Sequence, residues 1–158
     1  MAKKTPDQWF KEYGDSHQNK TNKLIHWICV PMIFLVILGL IWAIPTPTAF
    51  TDIHSSINWA TLASLFIISF YVHLSPRLAI GLTLFTLVCY AIIAWYDSLQ
   101  IASTASSCLV LFIILWALQF IGHHIEGKKP SFFKDIQFLM IGPAWLMGFI
   151  YRRLGFIY

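Results

Sequence analysis

Leu24-Ile25-His26-Trp27-Ile28-Cys29-Val30-Pro31-Met32-Ile33-Phe34-Leu35-Val36-Ile37-Leu38-Gly39-Leu40-Ile41-Trp42-Ala43-Ile44 is a run of 21 residues without a charged side chain. As a helix it is long enough to cross about 30 Å of hydrocarbon, and that reading decides the fold. Thr21 or Asn22 is the expected N-cap. Pro31 removes one backbone hydrogen bond and is expected to kink the helix just beyond His26, and Pro45-Thr46-Pro47 ends it.

Working outward, residues 57–74, 78–95 and 106–121 read as three further spans, with Ser75-Pro76-Arg77 as a tight turn between the second and the third. Before the first span, Trp9, Phe10 and Tyr13 are spaced for one face of a short interfacial helix that Gly14 and Asp15 would end. After the fourth, a basic linker over 127–135 leads to residues 136–151, apolar but short and interrupted by Gly142-Pro143. That segment is expected to be a re-entrant or interfacial helical hairpin. The fold expected is therefore a single all-α membrane domain over residues 1–158, with four transmembrane helices, an N-terminal interfacial helix and a C-terminal hairpin.

Composition agrees. Of the 158 residues 58% are hydrophobic and 11% charged, against roughly 25% charged in soluble domains; mean hydropathy is +0.67. No basic stripe alternates with exposed aromatics, which argues against a nucleic-acid partner. Cys29, Cys89 and Cys108 all lie in apolar runs and read as reduced packing residues. The polar start, followed by an apolar run without a small-residue cleavage pattern, reads as a retained helix and not a signal peptide.

Charge sets the expected orientation. If the chain begins in the cytosol and crosses four times, all 11 basic residues fall on inner segments, and Asp52 and Asp97 are the charged groups of the outer loops. Both termini are then cytosolic. Either a bacterial inner membrane or the endoplasmic reticulum suits such a chain, and its compactness favours the former; oligomeric state is not legible.

The same path gathers the histidines. His17 and His26 lie before and at the inner end of span one, His73 at the inner end of span two, and His123 and His124 at the inner end of span four; His54 alone is outside. Imidazoles at that depth are costly to leave unpaired, so their convergence points to a metal. His17 and His26, nine positions apart, can share a site if the chain breaks between them, and Gln18-Asn19-Lys20-Thr21-Asn22 supplies the break. In Gly122-His123-His124-Ile125-Glu126-Gly127-Lys128-Lys129-Pro130, His123 and Glu126 share a helix face while His124 points about 100° away. Imidazole with carboxylate suits iron, zinc or manganese. The plainer alternative is a set of interfacial polar residues solvating helix ends, and it applies first to His54 and His73. Trp27, Trp42, Trp59 and Trp95, near span ends, read as interfacial anchors.

Tyr13, His17-x-Asn19-x-x-Asn22-x-x-x-His26 followed by Pro31, then Gln119-Phe120-x-Gly122-His123, a nearby acid, a basic pair before Pro130, and Gly142-Pro143 together resemble the fungal 2-hydroxy fatty acid dioxygenase family of fatty acid α-oxidation. The resemblance covers both ends of the chain and leaves the middle spans matched in hydropathy alone. It implies an iron(II) enzyme that uses dioxygen to shorten a 2-hydroxy fatty acid by one carbon. His17, His26, His123 and His124 would then be metal ligands and Glu126 a catalytic residue, with either Glu126 or His124 completing the site. Lys23 and Lys128 would steer the substrate carboxylate, and Asn19 and Asn22 would orient the ligands. A 2-hydroxy acid can chelate a metal through two oxygens, which fixes carbons 1 and 2 beside dioxygen.

Two other classes compete: a haem-binding electron-transfer protein, disfavoured because the histidines sit at helix ends with none mid-span facing another, and a metal-free membrane adaptor. Histidine-box desaturases need about eight histidines, and this chain has six. It also lacks the HExxH and GxSxG motifs.

Overall fold

A computed structural model describes residues 4–54, 56–127 and 132–158. Among them are seven helices and no strand: α1 (Pro6–Gly14), α2 (Lys20–Trp42), α3 (Thr48–Thr51), α4 (Trp59–Leu74), α5 (Pro76–Ser98), α6 (Thr104–Glu126) and α7 (Phe132–Arg153). Three of them, α2, α5 and α6, are long and apolar enough to cross a membrane, and α4 is a shorter apolar helix of 16 residues. At 1.5 Å per residue α4 is about 24 Å long, short of the roughly 30 Å of a bilayer core. The structure thus gives three full-length candidate spans and one shorter helix, where four were expected.

Polar caps explain where these helices begin. Thr5 and Gln8 form a capping box at the start of α1, with Pro6 as its first residue, and Asn58 and Thr61 form another at α4. Ser75 closes α4 and opens α5, its side chain accepting from Leu78 N. The cap of α2 lies earlier than the sequence suggested. Asn19 Oδ1 accepts from the backbone N–H of Thr21 at 2.8 Å and of Asn22 at 3.4 Å, so the helix starts at Lys20 and Asn22 falls inside its first turn. A side-chain acceptor two to three residues upstream of free N–H groups outcompetes Thr21 and Asn22, whose own amides are the groups being capped.

The helix α2 is the centre of the bundle. It packs along α6 and touches α4, α5 and α7, while α4 and α5 form an antiparallel hairpin beside it. At one end of the bundle the core is made by Phe10, Tyr13, Tyr71, Leu78, Ile141 and Trp145; at the other by Phe34, Leu38, Ala60, Cys89 and Ile93. The outer faces are as apolar as the core. Leu65, Phe66, Ile80, Leu84, Leu87 and Ile113 are all exposed, a pattern suited to contact with hydrocarbon on the outside of a helical bundle.

The C-terminal segment differs from the hairpin expected of it. It is one helix, α7, that runs through Gly142-Pro143 without a break. Pro143 leaves Leu139 O without its usual N–H partner, and the buried Tyr71 hydroxyl donates to the neighbouring Met140 O at 3.0 Å, tying this part of α7 to α4. Ile141, Ala144, Trp145 and Leu146 are buried in the first core, so packing on both sides of the proline holds the helix together. From Phe138 to Tyr151, α7 stays at one end of the bundle. Phe138 packs on Tyr13 near its start, and near its finish Tyr151 donates to Arg77 O at the N-terminus of α5. It lies across that end of the bundle instead of passing through it.

Candidate metal centre

His17 is placed by the turn between α1 and α2, His26 by the second turn of α2 and His123 by the last turn of α6. All three are buried, with exposures of 1%, 2% and 9%. Their ring centroids are 4.2 Å (His17 to His26), 4.9 Å (His26 to His123) and 5.3 Å (His17 to His123) apart. One ring nitrogen of each lies within 4.8 Å of the others, a spacing that one metal ion can bridge.

Hydrogen bonds fix two of the imidazoles in the form a metal needs. His17 Nδ1 is 2.6 Å from Tyr13 O, and His26 Nδ1 is 3.0 Å from Asn22 O. A carbonyl only accepts, so each Nδ1 carries the proton and each Nε2 keeps its lone pair. His17 Nε2 is buried without a hydrogen-bond partner, an arrangement that is unfavourable unless something else occupies that direction. Burial also lowers the His17 pKa from 6.5 to about 4, opposed by the bond to Tyr13 O, so this ring is neutral at physiological pH. The donor set therefore fits a cation of the imidazole-binding class.

The turn that carries His17 is tied to α6 by Glu126. One carboxylate oxygen accepts from Gln18 N at 2.8 Å, and the other from Asn19 N at 2.9 Å and Asn22 Nδ2 at 3.1 Å. Asn22 Nδ2 also donates to Ser16 O. His123 and Glu126 do share a face of α6, as their spacing requires, but they do different things there: one joins the imidazoles and the other fastens the chain that presents His17. Close approach of α2 to α6 depends on Gly122, where a Cβ would come within 2.4 Å of Asn22 Oδ1. Gly127 ends α6 at φ +72°, the left-handed conformation that glycine adopts without strain.

The remaining sequence candidates are not brought to the three rings. His124 is exposed on the other side of α6. His73 is exposed with Nδ1 donating to Ser69 O, and exposed His54 accepts from Ser56 N through Nδ1. Asn19 serves as the cap of α2. Lys23, half-buried, lines a cleft of about 350 Å³ with Asp7, Lys11, Asp15, Trp145 and Arg152, and His17 forms part of its wall. Lys128 lies outside the described residues.

On its other side His17 borders a second, smaller cavity that includes all three histidines. Its remaining walls include Tyr13, Ser16, Trp116, Gln119 and Phe120, with Phe138 and Leu139 from α7. Sequence reasoning placed Tyr13, Gln119 and Phe120 in the family resemblance but gave none of these residues a role beside the histidines. Tyr13 is four positions before His17 and Gln119 four before His123, one helical turn in each case, and that periodicity was the available signal. Tyr13 stacks on His17 with centroids 4.2 Å apart.

The 2-hydroxy-palmitic acid dioxygenase MPO1 of Saccharomyces cerevisiae is 29% identical over 147 residues, which cover 92% of this chain and 79% of the yeast protein. No solved structure matches the chain significantly. A family model described as 2-hydroxy-palmitic acid dioxygenase Mpo1-like matches residues 4–154, taking in all three histidines, and the chain belongs to the Mpo1-like family.

Proposed function

We propose that the protein is an iron(II)-dependent dioxygenase of a cytosolic membrane face, which shortens 2-hydroxy fatty acids by one carbon. The observation that carries the reading is the meeting of three buried imidazoles from the two ends of the chain, in a family named for dioxygen chemistry on a 2-hydroxy acid. The overall change balances as R–CH(OH)–COOH + O2 giving R–COOH + CO2 + H2O. Carbon 2 rises from alcohol to carboxyl, carbon 1 leaves as carbon dioxide, and four electrons pass to dioxygen.

Iron(II), when bound, supplies the redox chemistry that activates dioxygen and a Lewis acid for the two oxygens of the substrate head. The protein's part is positional. His17, His26 and His123 would hold the ion. The carbonyls of Tyr13 and Asn22 set the tautomers of His17 and His26, and Glu126 holds the His17 turn in register with α6. Lys23, on the water-side cleft, draws the anionic head toward the histidines, and Lys128 is proposed to assist it. In this reading His124 takes no part. A haem is disfavoured because the three imidazoles touch one another, which leaves no slot for a macrocycle between them.

The test is elemental analysis and product analysis on detergent-purified protein. Wild type is expected to hold near-stoichiometric iron and to convert 2-hydroxypalmitate to the acid one carbon shorter with uptake of dioxygen. His17→Ala, His26→Ala and His123→Ala should each lose both, while His124→Ala and His54→Ala keep both. Metal retention and turnover in all three inner variants would rule the shared centre out.

A further inference from the structure

The geometry points to a site that holds only the polar head of its substrate and leaves the acyl chain in the bilayer, so that the enzyme selects for the 2-hydroxy carboxylate and not for chain length. This inference rests on the function proposed above. Its basis is the cavity bordered by the three histidines, whose volume is about 50 Å³. A single water needs about 10–15 Å³ of such space, so the cavity takes a few heavy atoms and not a long hydrocarbon chain.

The cavity walls show where the rest of the substrate goes. On the α2 side, Val30 and Ile33 are buried at 8% and 2% and pack against α6 or α7, closing that wall. On the α6 side, Trp116 and Gln119 are half-buried and Phe120 is 47% exposed. The helix α6 is also the least buried of the three candidate spans, at 17% of its apolar window against 44% for α2. The wall beside the histidines is therefore open toward the apolar outside of the bundle, one helical turn from His123. A head beside the imidazoles has an apolar way out for its chain past Phe120. Apolar surface there faces hydrocarbon already, so a chain lying along it gains little from being enclosed. Gln119 and Trp116, whose buried Nε1 has no hydrogen-bond partner, are the polar side chains of that wall besides His123.

A pocket that measures chain length discriminates by roughly tenfold or more per methylene, because each group either fills or clashes with a closed end. A head-only site has no closed end to meet. The experiment measures kcat for the iron-loaded protein in lipid nanodiscs with 2-hydroxyoctanoate, 2-hydroxypalmitate and 2-hydroxytetracosanoate, with each KM expressed as mole fraction in the bilayer. Values within about threefold of one another are expected, and Ile33→Ala, which deepens the closed wall, should leave that profile flat. A sharp optimum that moves to longer chains in Ile33→Ala would overturn the inference while leaving the dioxygenase reading intact. Failure to turn over any 2-hydroxy acid would remove both.

A second readout needs no turnover. A 2-hydroxystearate carrying a nitroxide near its methyl end, bound to the protein in nanodiscs, should relax with lipid-dissolved oxygen as strongly as the same label in free lipid. Protection of that label would show an enclosed tail and would sink the inference by itself.

Discussion

Glu126 is a carboxylate beside three imidazoles, and chemistry alone allows it two roles: proton acceptor for the substrate, or clamp for the chain. Its hydrogen bonds favour the clamp, since both oxygens are engaged by the amides of Gln18 and Asn19 and the side chain of Asn22. Glu126→Gln replaces one acceptor oxygen by an NH2 that faces a backbone donor, so the turn carrying His17 loses its register with α6. Iron affinity, measured by chelator competition, is expected to fall by about 10- to 100-fold, as is usual when a partner that orients a ligand is removed. Unchanged iron affinity with lost turnover would instead assign Glu126 to proton transfer. His17, His26 and His123 were legible as ligand candidates because apolar runs locate helix ends and polar residues at those ends stand out. The distinction between His123 and its neighbour His124 was not, because it depends on the rotation of α6 about its own axis. Neither helix end nor composition reports that angle; the packing of α6 against α2 does.

Between elements, the site depends on how closely α2 and α6 approach. Gly122 lies one residue before His123, and its Cα faces Asn22, four residues before His26. Judged by helix propensity, Gly122→Ala should stabilise α6 by up to about 1 kcal/mol. The contact reverses the sign. A Cβ at 2.4 Å from Asn22 Oδ1 cannot be accommodated by a simple rotation, since Asn22 Nδ2 is held by Ser16 O and Glu126. The helices must separate, at a cost of about 1–3 kcal/mol. Gly122→Ala is therefore expected to lower the thermal unfolding temperature in detergent and to weaken iron retention together; a rise in unfolding temperature would mean that the contact yields easily. The sequence showed which elements exist, since the period and length of apolar runs are local properties. It misled at α7 for the opposite reason. Gly142-Pro143 breaks a helix when judged alone, and what keeps α7 whole is burial of Ile141, Ala144 and Trp145 together with a hydroxyl from Tyr71, 69 positions away.

At the scale of the whole molecule, α7 is the element that decides how the bundle sits across a bilayer. Its first described side chains lie by Tyr13 and the histidines, and its last turn lies by Arg77 at the start of α5. If α2, α5 and α6 cross and α4 crosses with them despite its length, α1, both ends of α7 and the metal centre share one face. The basic residues of that face then follow the positive-inside pattern, with Asp52 and Asp97 opposite. A fifth crossing by α7 would carry Arg152 and Arg153 to the far side. Single cysteines at the exposed positions Lys4, Ile101 and Leu154 distinguish the two arrangements, read with a membrane-impermeant maleimide on intact and permeabilised cells. The native thiols give little background, since Cys29 and Cys89 are buried and Cys108 lies within an apolar helix. Lys4→Cys and Leu154→Cys should label only after permeabilisation and Ile101→Cys before it. Labelling of Leu154→Cys on intact cells, with Lys4→Cys still protected, would mean that α7 crosses. The tie between Tyr151 and Arg77 would then have to break in the membrane, and the cover that α7 forms over the histidine end of the bundle would be lost with it.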